Sequence, residues 1–202
     1  MNFISDTIMF PSQGNQSNLI ELVKEILPKS GQNGWGTSTV FIAARMNHHV
    51  VIHQLWESVG EYIDAQARFM KDKDLMISIK EMFSLCSSHH RLISQIIQPA
   101  SNPVGEANFV HRNVIKAKRG YRNELVKKIL DITQSSEFKP AISVNKVGDN
   151  DNVMMRIPAK SIDDIPMLQK NELGSDDWFI NEIRDLTVSS IQSTARIFTR
   201  SS

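Results

Sequence analysis

Hydrophobic residues recur at helical spacing in several segments of the chain, and three long stretches, at 29–98, 104–139 and 167–202, contain no proline. Proline disrupts the interior of a helix, so its absence from these stretches permits long helices. Between them lie polar, proline-containing or glycine-rich segments that are typical of loops. The predicted helices cover about 18–27, 38–70, 74–98 and 105–134.

The first of these helices has clear end signals. Asn18 is its predicted N-cap, because a side-chain oxygen there can accept a hydrogen bond from a free backbone N–H of the first turn. Pro28 follows its predicted end. Its apolar face consists of Leu19, Val23, Ile26 and Leu27.

The pattern changes after Pro140. The segment AISVNKVGDNDNVMMRI, at 141–157, contains two short β-prone runs around a polar turn, which is typical of a hairpin. Residues 174–198 return to helical spacing, with Ser175 as the predicted cap. The sequence therefore predicts a mainly α fold, a bundle of about four to six helices with a small C-terminal β-hairpin and a closing helix. The predicted parts are an N-terminal arm at 1–16, the helical bundle domain at 17–135, and a hairpin-plus-helix subdomain or arm at 136–202.

The amino-acid composition limits the classes of protein to which this chain can belong. The 202 residues are 41% hydrophobic and 22% charged, which suits a chain with a buried core. Cys86 is the only cysteine, so no disulfide can form within the chain. No ordinary signal peptide and no run of the ~20 apolar residues that a membrane-spanning helix needs can be found. These features predict a cytoplasmic, reducing location, with association with a virion as a further option.

Five residues suggest a metal site. His48, His49 and His53 lie in a run dominated by Val, Ile, Leu and Trp, and on a helix His49 and His53 would stack on one face. Cys86 and His90 have the same spacing in the next predicted helix. An antiparallel helical hairpin could bring His49, His53, Cys86 and His90 together. Three imidazoles and one thiolate make a closed, four-coordinate set that is typical of structural zinc.

A second interpretation is that these are packing and surface residues. The polar segment KDKD, at 71–74, would form the connection between the two predicted helices. With the connection there, the His49–His53 pair and the Cys86–His90 pair are out of register by about one helical turn. A cysteine on an apolar stripe is usually part of a core. This interpretation is favoured, and a structural zinc ion is the only cofactor considered.

Charge is segregated along the chain. The segment 111–128 holds seven basic residues and one acid, Glu124, whereas the whole chain carries a net charge of only +1. Apolar residues in this segment recur at helical spacing, so it is predicted to be an amphipathic helix with a cationic face. Such a face can bind phosphates of nucleic acid or of anionic lipid, and acids concentrated at 149–185 offer a complementary surface for self-association. The candidate phosphate-binding residues are Arg112, Lys116, Lys118, Arg119, Arg122, Lys127 and Lys128.

Common catalytic motifs are missing from the sequence. It contains neither a phosphate-binding P-loop nor a GxSxG nucleophile motif, and its glycine-rich segment at 30–36 does not fit a dinucleotide site. We therefore predict a non-enzymatic, polyanion-binding, self-associating structural protein of nucleoprotein, matrix or architectural type, such as a small viral structural protein. Its partners would be nucleic acid or an anionic membrane surface and further copies of the chain, with no small-molecule substrate inferred. The alternative is a zinc-stabilised helical module that binds another protein, as an effector or regulator.

Overall fold

The computed structural model describes residues 1–42, 48–102, 104–134, 139–165 and 181–201, and of residues 41–42 only the backbone. Within these ranges the chain forms eight strands and four α-helices. In chain order they are β1 Phe3–Pro11, α1 Gln16–Lys29, β2 Gly34–Ile42, β3 Val50–Trp56, α2 Val59–Phe69, α3 Lys73–Ser84, β4 Cys86–Gln98, β5 Phe109–Ala117, α4 Arg122–Thr133, β6 Ala141–Val147, β7 Asn152–Ala159 and β8 Thr187–Ser201.

The strands hydrogen-bond in the order β1-β3-β2-β8-β5-β7-β6-β4 and close into an antiparallel barrel. The chain divides into two compact units. Unit 1 comprises Met1–Gln95 together with the end of β8 from Arg196, and unit 2 comprises Ile96–Ala195. Strands β4 and β8 therefore each contribute residues to both units.

Unit 1 has a βαββαβ arrangement in which α2 and α3 occupy the second helical position. Its strands are ordered β4-β1-β3-β2, with antiparallel pairs such as Ser5 opposite Gln54 and Thr7 opposite Arg91. This is the ferredoxin-like order. Side chains alternate between the two faces of the sheet, so residues paired across strands share a face.

Unit 2 repeats the same strand order, as β8-β5-β7-β6, with α4 between β5 and β6. The connection from β7 to β8 includes 166–180, which lie outside the described residues. Helix α4 packs its buried Leu125 and Ile129 against the sheet, where they contact a cluster that includes Ile115, Ile142 and Met155. The chain therefore contains two copies of one topological plan.

The prediction of a mainly α bundle is wrong, because long segments with helical spacing form strands. The predicted helix at 38–70 contains parts of β2 and all of β3, and the predicted helix at 74–98 becomes a strand after Leu85. The physical reason is that β3 and the end of β4 are rich in β-branched residues, which favour strands, and packing in a sheet overrides the helical pattern. Much of the predicted closing helix is β8, and its predicted cap Ser175 lies outside the described residues.

No helix within the described part of the chain is long and apolar enough to cross a membrane.

Two local predictions are confirmed. Helix α1 contains the predicted helix at 18–27 and buries the predicted apolar face, although its N-cap is Asn15 rather than Asn18 and Pro28 lies inside its last turn. The hairpin is formed by β6 and β7, which pair with Ile142 opposite Met155. This hairpin is a part of the barrel sheet, whereas the sequence predicted a small addition to a helical bundle.

Close packing at the edge of unit 1 depends on Gly34 of β2. A Cβ atom at Gly34 would lie within 3.0 Å of the backbone carbonyl oxygen of His53, a separation that real Cβ atoms essentially never show. We therefore expect Gly34→Ala to lower the free energy of unfolding by about 1–3 kcal/mol, as overpacking does in well-packed cores.

Urea denaturation of the Gly34→Ala variant beside Gly105→Ala would check this expectation. A Cβ atom at Gly105 meets nothing within 4 Å, so that control should remain within about 0.5 kcal/mol of the parent. Equal stabilities of the two variants would contradict the role assigned to Gly34.

Candidate functional site

A cavity of about 220 Å³ lies between the sheet of unit 1 and its helices. Its floor is formed by side chains of β1, β3 and β4, and its walls by side chains of α1, α2 and α3 together with the residues that follow α1 and α2. The lining residues are Thr7, Ile26, Leu27, Ser30, Ile52, Gln54, Gln66, Phe69, Met70, Leu75, Met76, Ile79, Met82, Phe83 and Arg91.

The walls of this cavity are apolar because the helices are amphipathic. Helix α3 begins after Asp72, whose carboxylate accepts a hydrogen bond from the backbone N–H of Leu75 at 3.0 Å. From that start, the spacing of Leu75, Ile79 and Met82 places these side chains on one helix face, towards the sheet. The cavity can therefore exclude water from most of a bound molecule's surface.

Arg91 brings a positive charge to this cavity. Its position on β4 is set by pairing with Thr7 of β1, and its Nε donates a hydrogen bond to Thr7 Oγ1 at 3.1 Å. Its Nη1 donates to the hydroxyl oxygen of Tyr62 at 2.9 Å and to Gln66 Oε1 at 2.7 Å. The guanidinium also lies 6.0 Å from the centre of the Tyr62 ring, within the range of a cation–π contact. Strand β1 and helix α2 thus hold this side chain from two sides.

All of these partners are electrically neutral. Within the described part of the chain, no carboxylate lies within ion-pair distance of Arg91. Its charge is therefore held in place by neutral side chains, beside apolar walls and without an anionic partner from the protein.

Gln54 provides a second polar group on the floor. Its Nε2 donates a hydrogen bond to Ser30 Oγ at 3.4 Å, and the Ser30 hydroxyl donates to the backbone carbonyl of Leu27 at 2.7 Å. Because that hydroxyl hydrogen is used, Ser30 can only accept from Gln54, which fixes the orientation of the amide. The carbonyl oxygen Oε1 is then the acceptor that Gln54 offers to the cavity.

A buried polar cluster lies on the other face of this sheet. His53 Nδ1 is 2.7 Å from Asp6 Oδ1, and His53 Nε2 is 3.0 Å from Thr37 Oγ1. The carboxylate favours the tautomer with hydrogen on Nδ1, so Nε2 accepts from the threonine hydroxyl. The order of carboxylate, imidazole and hydroxyl is that of a nucleophile triad, but Thr37 is 0% exposed and no substrate can reach it. The cluster therefore has a structural role here.

The predicted metal ligands lie on or beside strands, so the helical hairpin on which that set depended does not form. His53 lies on β3 with His49 just before it, and Cys86 and His90 lie on β4. Both ring nitrogens of His53 are engaged by Asp6 and Thr37. Burial raises the pKa of the Cys86 thiol, whose Sγ donates to the carbonyl of Met82 at 3.4 Å. Among the described residues, no three His, Cys, Asp or Glu side chains are grouped so that they could hold a metal ion.

The basic segment is a strand, a turn and a helix, so the prediction of one cationic helical face is wrong. Arg112 lies on β5 and is buried, while Arg122, Lys127 and Lys128 lie on α4. Lys118 and Arg119 lie in the connection between β5 and α4.

Several of these cations have partners within unit 2. Lys116 pairs with Asp149 at 2.8 Å, and this hydrogen bond raises the pKa of Lys116 and lowers the pKa of Asp149. Lys128 pairs with Glu182 at 2.6 Å, and Arg122 donates to the backbone carbonyl of Asn150.

No protein-family model matches the sequence, and a search of curated proteins found no relative. Solved structures do share its fold. A candidate monooxygenase from Fusobacterium nucleatum matches with a TM-score of 0.72 at 10% identity, covering 98% of this chain and 93% of that one. A candidate monooxygenase from Lactobacillus acidophilus matches with a TM-score of 0.68 at 11% identity, covering 100% and 97%. A candidate chlorite dismutase matches at 0.58 and 9% identity, covering 98% and 96%.

These likenesses establish the fold, and they contradict the functional predictions made from the sequence. The candidate monooxygenases, chlorite dismutase and dyp-type peroxidase that share the fold contradict the prediction of a non-enzymatic polyanion-binding structural protein, such as a viral matrix protein, and give no support to its zinc-stabilised alternative. The predicted partners, nucleic acid or an anionic membrane, are likewise contradicted by the candidate monooxygenase, dismutase and peroxidase structures that share the fold. The expectation of no cofactor apart from zinc is also contradicted, because a candidate chlorite dismutase and a candidate dyp-type peroxidase share the fold.

Sequence reasoning missed Arg91, Thr7 and Gln54. The sequence pattern predicts a helix at Arg91 and an N-terminal arm at Thr7. The β-branched and aromatic residues of VVIHQLW, the segment that contains Gln54, are the sequence signal that favours a strand there.

Proposed function

We propose that this protein is an oxidoreductase that binds a small, largely apolar molecule in the cavity of unit 1. The observation that carries the proposal is an apolar cavity with one firmly held cation, Arg91, that has no anionic partner from the described residues. Mostly apolar cavities with a few convergent polar groups are the usual form of small-molecule sites. The reaction class is supported by analogy with the monooxygenase and dismutase candidates that have this fold.

The lining residues are suited to binding and orientation. Their polar side chains are Thr7, Ser30, Gln54, Gln66 and Arg91, a set without carboxylate, imidazole or thiol. None of these five accepts a proton readily at neutral pH. The proposed role of the protein is therefore to exclude water, to hold an electron-rich substrate and to stabilise negative charge on it through Arg91.

The cavity does not fit heme. Heme iron takes axial ligands from His, Cys, Tyr or Met, and the lining contains only Met among these, which serves beside His in cytochromes c. The volume of about 220 Å³ is also below the roughly 300–1,000 Å³ of typical sites for drug-sized ligands. The proposed oxidation therefore includes no step on heme at this cavity.

A variant that fills the cavity tests the proposal. Met76 lines the cavity, whereas the next residue, Ile77, is 64% exposed and does not. We expect the parent to consume O₂ or H₂O₂ with at least one member of a panel of single-ring phenols and hydroquinones. Met76→Trp should lower that rate at least roughly tenfold, because a bulkier side chain displaces the substrate from the about 220 Å³ available.

Ile77→Trp is the matched control, and its oxidation rate should equal that of the parent. Rates are compared with an oxygen electrode and by peroxide consumption, with melting curves to show that each variant is folded. A Met76→Trp variant that oxidises the panel as fast as its parent would place the activity elsewhere. A parent that neither binds nor oxidises any panel member would contradict the proposal.

A further inference from the structure

The two polar ends of the cavity define a class of ligand. We infer that the ligand is a small monocarboxylate with a single apolar ring, whose carboxylate binds Arg91 and whose hydroxyl group, at the other end, donates a hydrogen bond to Gln54. The inference rests on the proposed function and names the substrate class of the same cavity.

Unused hydrogen-bond donors lie next to one another around Arg91. Its Nε and Nη1 donate to Thr7, Tyr62 and Gln66, and these are its only protein hydrogen bonds in the described part of the chain, so both N–H groups of Nη2 lack a protein acceptor. The Tyr62 hydroxyl accepts from Nη1, which leaves its own hydrogen to be donated. A carboxylate supplies two acceptor oxygens and a full negative charge, which matches this set of donors.

The cation is positioned before any ligand binds. Thr7 lies on β1, and Tyr62 and Gln66 lie one helical turn apart on α2, so the guanidinium is fixed from the sheet and from a helix. Binding then requires little further ordering of this side chain, which lowers the entropic cost of association. Because every partner is neutral, a ligand anion does not have to displace a protein carboxylate.

At the other end, Gln54 Oε1 is an acceptor without a donor from the described residues. The amide is fixed by Ser30, whose own hydrogen is given to the Leu27 carbonyl. A ligand hydroxyl can supply the missing donor. Gln54 thus complements a hydrogen-bond donor, whereas Arg91 complements an anion.

Sheet geometry sets the length of the ligand. Gln54 is opposite Ser5 on β1, and Arg91 is opposite Thr7 two residues further along that strand. With strands about 4.8 Å apart and a rise of about 3.3 Å per residue, the two backbone positions are separated by roughly 12 Å. Both side chains reach towards the cavity and shorten this span. An apolar cavity of about 150 Å³ can bind benzene, so about 220 Å³ suits one ring with a short carboxylate arm.

Three matched compounds test the inference by calorimetric titration. They are 4-hydroxycinnamate, its methyl ester, which lacks the charge, and cinnamate, which lacks the hydroxyl. The parent should bind 4-hydroxycinnamate roughly 10–100-fold more tightly than the ester, the range expected when a hydrogen bond to a charged group is lost. Cinnamate should bind more weakly than 4-hydroxycinnamate by roughly 2–10-fold.

Single substitutions test which residue binds the carboxylate end of the ligand and which binds the hydroxyl end. Arg91→Met should remove the preference for the carboxylate and leave binding of the ester unchanged, and Arg91→Lys should restore part of the preference. Arg68→Met is the matched control, because Arg68 is an exposed arginine in the last turn of α2 that does not line the cavity. Gln54→Leu should weaken binding of 4-hydroxycinnamate to the level of cinnamate. Arg91 is exposed, so its replacement leaves the core intact.

The outcomes separate this inference from the proposed function. Equal binding of the ester and the acid, in parent and Arg91→Met alike, would overturn the anion subsite while leaving an apolar small-molecule cavity. Failure of all three compounds to bind, together with oxidation of neutral phenols, would overturn the ligand class alone. Failure of every compound to bind or react would overturn both.

Discussion

Replacing His53 with alanine is expected to lower the free energy of unfolding by about 3–5 kcal/mol, the usual range for removing one member of a buried polar pair. His53 is 1% exposed and lies between Asp6 and Thr37, with Trp35 stacked on its ring at 5.0 Å. The substitution removes two hydrogen bonds and a stacking contact, and it takes a hydrogen-bond donor away from a carboxylate that is 2% exposed. Urea denaturation followed by circular dichroism measures the change.

His48 provides the control, because it is an exposed histidine five residues earlier in the chain. His48→Ala should change the free energy of unfolding by no more than about 0.5 kcal/mol. A His53→Ala variant as stable as His48→Ala would mean that the Asp6–His53–Thr37 cluster contributes little to the fold.

Replacing Trp56 with alanine is expected to cost a similar amount, about 3–5 kcal/mol, through loss of buried surface and the cavity left behind. Trp56 is 0% exposed, its Nε1 donates to Ser5 Oγ at 2.9 Å, and its ring lies nearly perpendicular to the Tyr62 ring with centres 5.3 Å apart. Because Tyr62 accepts a hydrogen bond from Arg91, the same variant should also bind 4-hydroxycinnamate more weakly.

Two further variants separate the loss of buried ring surface from the loss of the N–H donor and provide a control at an exposed site. Trp56→Phe retains most of the ring surface but removes the N–H donor, so it should cost less, about 1–3 kcal/mol. Ile63→Ala, at a 58% exposed position next to Tyr62, should be nearly neutral. If Trp56→Ala unfolds at the same urea concentration as Ile63→Ala, the packing role assigned to the indole is wrong.

Local signals were read correctly where one periodicity dominated. Helix α1 has four buried apolar residues at helical spacing, and the β6–β7 hairpin has a polar turn between two β-prone runs. The helix prediction for the segment before α4 is wrong because the segment is compatible with both a helix and a strand. Val110, Val114 and Ala117 fit a helix, yet residues 109–117 form a strand in which Arg112 is buried. A buried arginine depends on partners distant in sequence, which a local pattern cannot reveal.

The cavity could not be predicted from the sequence for the same reason. Arg91 and Thr7 are 84 residues apart in the chain, and Arg91 and Gln66 are 25 apart, yet they share hydrogen bonds. Each residue alone is an ordinary polar side chain in an ordinary segment. Only strand order and register place them on one floor beneath apolar helices.

The division of β8 between the units has a consequence for folding on the ribosome. Unit 1 takes its sheet neighbour of β2 from the part of β8 that begins at Arg196, where the Phe198 ring lies against Gly36. Synthesis delivers residues 96–195 before that strand emerges, so the first unit to be translated is completed last. Until then β2 has an open edge, which is a site for wrong pairing between nascent chains. The cavity with Arg91 lies on that same sheet. In a chain that ends before β8, the ligand site should therefore lie on a sheet that lacks the strand next to β2.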